Sequence, residues 1–218
     1  MNIWVGTSGY NYPEWKGSFY PEKLPSSKML PYYAERFPTV EINYTFYRAP
    51  NEKILDGWNK ATPDRFKLTL KAPRRITHDA RLRDCADRVR QFLETASTLG
   101  PKLGALLFQL PPTLKKDISL FDAFIEAFPP RVCAAFEFRH PSWLDDEVYS
   151  RLRARNLALC VADSERLLAV RAAHSGGGVQ RGRSPARPVV SNQSSPAEPS
   201  SPRATRRLDP RRTAALRG

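Results

Sequence analysis

Apolar and polar positions follow two rhythms along the first 166 residues. Short apolar or alternating runs fall at residues 3–8, 40–43, 66–71, 103–108, 132–138 and 157–161. Between them lie longer stretches whose apolar residues recur every three or four positions, as on one face of a helix. Residues 28–37 align Met29, Tyr32, Tyr33 and Phe37, with Ser26 or Ser27 as the N-cap. Residues 51–60 align Ile54, Leu55 and Trp58 behind a capping Asn51. Residues 84–99 align Val89, Phe92, Leu93, Ala96 and Leu99 before Gly100-Pro101 ends the pattern. Residues 117–128 repeat it with Ile118, Phe121, Ile125 and Phe128, and 145–155 form a fifth helix.

Leu103 to Phe108 contains no polar residue, as expected of a strand covered on both faces. Six strands alternating with five helices predict an α/β protein with a parallel sheet and right-handed crossovers. A closed eight-stranded barrel and an open doubly wound sheet both satisfy the pattern. No glycine-rich phosphate loop follows the first strand, so a dinucleotide-binding domain is not supported.

At about residue 167 the character of the chain changes. From there to Gly218 there is no Phe, Trp, Tyr, Lys, Ile or Met, and Arg, Pro, Ser, Ala and Gly dominate. Such a segment buries too little apolar surface to offset its chain entropy, so 167–218 is expected to be a disordered tail after a domain spanning 1–166. The tail also alters the reading of charge. It holds ten Arg against two acids, a net +8 of the +13 total, which leaves +5 for residues 1–166. A basic arm for nucleic acid, a solvated tail without a role and a shifted reading frame in GC-rich DNA all fit this composition, and the abrupt loss of aromatics and lysine favours the frameshift.

No apolar run approaches the roughly 18 residues of a membrane span. The N-terminus lacks the basic and apolar segments of a secretory signal. Three widely spaced cysteines, Cys85, Cys133 and Cys160, suit neither a disulfide framework nor a metal knuckle. A cytoplasmic location, with no membrane partner, is the expectation.

Candidate chemistry sits at the strand ends. The fifth strand runs directly into Glu137-Phe138-Arg139-His140-Pro141-Ser142-Trp143. Polar groups just past the carboxyl ends of parallel strands are how α/β proteins build sites. The other strands deliver Thr7 and Ser8, Glu41 and Asn43, Lys71, Gln109, and Asp163. Loop residues Tyr10, Trp15, Tyr47, His78 and Trp143 are placed to roof the opening, although His78 in its basic loop reads first as solvated. Trp4, Tyr32, Phe46 and Trp58 read as core.

Two function classes stand open. In one, Arg139 and Lys71, with Arg74 or Arg75, hold a phosphorylated ligand or nucleic acid while rings stack on a sugar or base. In the other, Glu41, Glu137 and His140 are catalytic in a metal-assisted hydrolase or isomerase. Carboxylates with an imidazole suit a divalent metal, although no tight ligand spacing points to one. An ion pair between Glu137 and Arg139, and a structural hydrogen bond at His140, compete with both.

Several stretches are similar to the YecE-like family, also called domain of unknown function 72. They are Val5-Gly6-Thr7-Ser8-Gly9-Tyr10, Trp15-Lys16-Gly17-Ser18-Phe19-Tyr20-Pro21, Val40-Glu41-Ile42-Asn43 with Thr45-Phe46-Tyr47, and Phe66-Lys67 with Lys71-Ala72-Pro73. Phe108-Gln109-Leu110-Pro111-Pro112, Glu137 through Trp143, and Ala162-Asp163-Ser164 complete the set. The resemblance implies a (β/α)8 TIM-barrel-like fold whose biochemical role is not established. It stops near residue 166, so about six of eight β/α units are expected. A chain truncated there would expose sheet edges, and is expected to be poorly stable or inactive.

Overall fold

The computed structural model describes residues 3–130 and 132–162. Six strands form one parallel sheet: β1 (Gly6–Ser8), β2 (Thr39–Ile42), β3 (Lys67–Lys71), β4 (Leu103–Gln109), β5 (Ala134–Glu137) and β6 (Ala158–Leu159). Their order in the sheet is their order in the chain. A doubly wound sheet reverses its order at a switch point, and this sheet does not. Right-handed crossovers then place every helix on one face, which is the arrangement of consecutive units in a TIM-barrel-like fold.

The crossovers are α1 (Met29–Ala34), α2 (Tyr44–Tyr47) followed by α3 (Glu52–Lys60), α4 (Ala86–Ser97), α5 (Ile118–Glu126) and α6 (Asp146–Ala154). Three helices start at side-chain caps. Asn51 accepts from the Ile54 amide at 2.9 Å, Asp117 from Leu120 at 3.0 Å and Asp145 from Val148 at 3.0 Å. The helix expected over 28–37 is shorter than its pattern. Ser26–Lys28 form a 3-10 turn instead of a cap, and Pro31 in the first turn of α1 supplies no amide donor. The basic loop expected at 73–83 contains a π-turn, Arg75–Asp79, followed by left-handed backbone at Arg81, Leu82 and Asp84.

Alternation along the strands divides the sheet's two faces. Val40, Ile42, Leu68, Leu70, Leu106, Phe108, Ala134 and Phe136 pack against the helices in the main core. Phe108 stacks on Phe136 with ring centroids 5.4 Å apart, and Phe121, Phe124 and Phe128 close around them. The opposite face carries a small apolar group, Leu107, Ala135 and Cys160, below the strand ends. The first strand begins at Gly6 rather than at residue 3, and Ile3 and Val5 are exposed. The tail expected at 167–218 lies outside the described residues. Among the described residues no helix is long and apolar enough to cross a membrane.

Candidate functional site

Residues of the inner face end each of the first five strands with a polar group. β1 contributes Ser8, β2 Glu41 and then Asn43, β3 Lys71, β4 Gln109, and β5 Glu137 and then Arg139. Register explains the grouping. Ser8 pairs with Glu41 and Gln109 pairs with Glu137, so their side chains emerge side by side. Ser8 Oγ donates to Glu41 Oε1 at 3.1 Å, and Asn43 Nδ2 donates to Ser8 Oγ at 2.8 Å. Gln109 Nε2 donates to both Glu137 oxygens at 3.0 Å, and Arg139 forms an ion pair with Glu137.

Glu137 is fully buried and Glu41 nearly so. Burial pushes the Glu41 carboxyl above the usual carboxylate range. Lys71 and the Ser8 hydroxyl pull it part of the way back, and Glu137 adds to the rise. Burial pulls the Lys71 ammonium below its ordinary value, against the opposing charges of Glu41 and Glu137. Glu41 and Glu137 thus feel each other across three strand spacings, which on a flat sheet would span about 14 Å. Curvature of the sheet brings the two groups around a common opening.

A cleft of about 870 Å³ opens beside these groups. Ser8, Asn43, Lys71 and Gln109 line it from the strand ends, and Tyr10, Tyr12, Tyr44, Phe46, Tyr47, Trp58, Arg74 and His78 line it from the loops, α2 and α3. Thr45 fixes α2 at its edge by donating to the carbonyls of Ile42, at 2.9 Å, and Lys71, at 2.6 Å. Lys71 Nζ lies 5.0 Å from the centroid of the Phe46 ring. The same ring meets the His78 imidazole edge-on at 4.9 Å. The Trp58 indole meets the Tyr44 ring edge-on at 6.2 Å.

The structure gathers Ser8, Tyr10, Asn43, Tyr47, Lys71 and Gln109 at the cleft, with Glu41, Glu137 and Arg139 linked to them. It moves four expected site residues elsewhere. Thr7 lies on the helix side, where its amide and hydroxyl meet the Tyr33 hydroxyl at 2.8 and 3.0 Å, because Ser8 takes the inner position. Trp143 is fully buried, stacked on Phe138 at 5.1 Å, with its indole donating to the Leu114 carbonyl at 2.7 Å. Trp15 packs among Tyr12, Phe19 and Tyr20 and does not line the cleft. His140 Nδ1 accepts from the Ser142 amide at 3.1 Å and meets the Ser142 hydroxyl at 2.8 Å, which makes it a cap of the turn Pro141–Trp143. Asp163 lies outside the described residues.

Conversely, Phe46 and Trp58 read as core yet line the cleft, Trp58 while also packing on the core, and His78, read first as solvated but also as a roofing residue, lies in the same wall. Phe46 follows the end of β2 by about one turn, which was the available signal; Trp58, on the apolar face of α3, carried none. Among the described residues no group of three or more His, Cys, Asp and Glu side chains is placed to hold a metal ion.

Comparison with known proteins gives a consistent result. The sequence matches the family described as "Protein of unknown function DUF72" over residues 4–214, which extends past residue 166 where the motifs end. It is 30% identical over 175 residues to UPF0759 protein YecE of Escherichia coli (strain K12), covering 78% of this chain and 62% of that protein. It is 29% identical over 157 residues to UPF0759 protein YunF of Bacillus subtilis (strain 168), covering 68% and 55%. The chain therefore spans under two thirds of the length of either relative. A crystal structure of a DUF72 family protein from Thermotoga maritima MSB8 superposes with a TM-score of 0.63 at 31% identity, over 73% of this chain and 64% of that one. One from Enterococcus faecalis V583 gives 0.54 at 23% identity, over 63% and 59%, a likeness of fold.

Proposed function

The chain belongs to the DUF72 family, whose description leaves function open, and on that premise we propose that its cleft binds a phosphorylated, ring-bearing ligand of nucleotide type. One observation carries this reading: cationic and aromatic side chains share one cleft wall. Lys71 and Arg74 supply positive charge beside His78, and Tyr44, Tyr47 and Trp58 supply ring faces. Phosphate oxygens take charge-assisted hydrogen bonds from such cations, and a base or sugar stacks on such rings. The volume suits a small ligand, since pockets for such molecules run to about 300–1,000 Å³. A nucleic acid entering by a terminal nucleotide would use the same groups.

The metal-assisted hydrolase has less support. Glu137 already accepts from Gln109 and is ion-paired with Arg139, Glu41 accepts from Ser8, and His140 caps its own turn. The test is titration of the full chain with a mononucleotide, read by Trp58 fluorescence and assigned with Trp58→Phe. Arg74→Ala should weaken binding by on the order of tenfold, the loss of one charge-assisted hydrogen bond. Binding that ignores both Arg74→Ala and added salt would end the proposal, and tighter binding of single-stranded nucleic acid than of the mononucleotide would transfer it to that ligand.

A further inference from the structure

The structure assigns a second chemistry to the same opening: we propose that Lys71 is a carbonyl-reactive amine that forms an imine with an anionic aldehyde or ketone. Three placements support it. Lys71 ends β3 on the inner face and lines the cleft, so its amine meets whatever enters. Its Nζ sits over the Phe46 ring, an apolar surface that replaces water on one side. Glu41 lies on the adjacent strand opposite Thr69, two residues from Lys71 along the same face, within side-chain reach of the amine.

Other half-buried or buried lysines are committed elsewhere. Lys102 donates to the carbonyls of Asn59 and Thr62, both at 2.7 Å; Lys67 donates to the Pro101 carbonyl; Lys116 pairs with Asp145 and Glu147.

The condensation balances with these groups alone. The Lys71 nitrogen lone pair attacks the carbonyl carbon, a C–N bond forms, and the carbonyl π bond opens. One ammonium proton passes from nitrogen to the new oxygen, which gives a neutral carbinolamine. The Glu41 carboxylic acid then protonates the hydroxyl, the C–O bond breaks, and water leaves. The products are an iminium on Lys71, a Glu41 carboxylate beside it, and one water. Nothing is oxidised or reduced. Both shifts assist: the lowered lysine holds more free amine, and the raised carboxyl keeps a proton to give.

The anionic handle of the carbonyl compound rests on the cation-lined cleft proposed above, and the two readings fail separately. The full chain is incubated with pyruvate or glyceraldehyde 3-phosphate, reduced with cyanoborohydride and peptide-mapped. Reductive labelling should saturate with probe and occur at Lys71 on the order of tenfold faster than at exposed lysines such as Lys60. Lys71→Arg should remove that label while leaving the circular dichroism unchanged. Glu41→Gln should slow trapping, whereas a Glu41 that acts only through its charge on Lys71 would, once removed, free more amine and speed it. Labelling distributed in proportion to exposure, with Lys71 no faster than Lys60, would overturn the imine even where nucleotide binds. Rapid trapping at Lys71 that Arg74→Ala leaves unchanged would keep the imine and count against the anion site.

Discussion

Gln109 Nε2 reaches both carboxylate oxygens of Glu137 at 3.0 Å, across the last registered pair of β4 and β5. The amide thus holds the carboxylate flat against the strand ends, while Arg139 approaches from the side. Removing the carboxylate takes the nearest opposite charge from a mostly covered guanidinium. Glu137→Ala should cost about 3 kcal/mol, the lower end for one partner of a buried pair, because Arg139 keeps some contact with water. Glu137→Gln, which preserves shape, should cost less. Urea midpoints of the two variants check the order, and equal midpoints would show that the charge contributes nothing.

Trp143 provides a contrast between core and site. It is enclosed by Phe121 and Phe138, and its indole satisfies the Leu114 carbonyl. Trp143→Ala should destabilise by about 3–5 kcal/mol. Trp143→Phe should cost about 1–3 kcal/mol, because the carbonyl is left unpaired in the interior. Neither change should alter ligand affinity in the population that folds. A Trp143→Phe variant that folds normally and loses nucleotide binding would return this residue to the cleft.

The fold was legible because periodicity reports burial directly. The unbroken run from Leu103 to Phe108 and the stripe Val89, Phe92, Leu93 and Ala96 became β4 and α4, close to their expected limits. The grouping of Glu41, Lys71, Gln109 and Glu137 was legible for a similar reason: parallel strands deliver their ends to one side. Faces and loops were less so. Thr7 and Ser8 are adjacent in sequence, and only the pairing of Ser8 with Glu41 decides which points inward. Phe46, Trp58 and His78 owe their places to α2, to the edge-on contact between Trp58 and Tyr44, and to the π-turn at Arg75–Asp79, none of which has a periodic signature. An aromatic in a short loop reads the same whether it faces a core or a cleft.

Gly6 tests the strand pairing that sets the Ser8–Glu41 contact. A Cβ at Gly6 would stand 2.0 Å from the Thr39 carbonyl oxygen, a backbone atom that moves only if the strand moves. Gly6→Ala should therefore separate β1 from β2 and cost about 1–3 kcal/mol or more. Hydrogen exchange should localise the damage, because the Gly9 amide donates to the Glu41 carbonyl at 2.8 Å. Protection at Gly9 should fall while protection in β4 persists. Unchanged protection at Gly9 would mean that the strands meet elsewhere.

Glu41 and Lys71 make stability depend on pH with opposite signs. Burial raises Glu41 above its ordinary 4.5, so from about that pH upward the native state retains a proton that the unfolded chain has released. The stabilising contribution is complete below the unfolded value and is lost as pH rises through the folded one. Lys71 is lowered from 10.5, so the native state gives up its proton first, and stability returns as pH rises from the folded value toward 10.5. Glu41→Gln deletes the acidic limb. It also removes the carboxylate that holds Lys71 up, so the alkaline recovery should begin at lower pH. Urea unfolding at a series of pH values should show the variant gaining on the wild type through the mildly acidic range, then levelling once Glu41 is ionised in both states. Parallel curves across that range would mean that Glu41 meets the same environment folded and unfolded, and the burial assigned to it would be wrong.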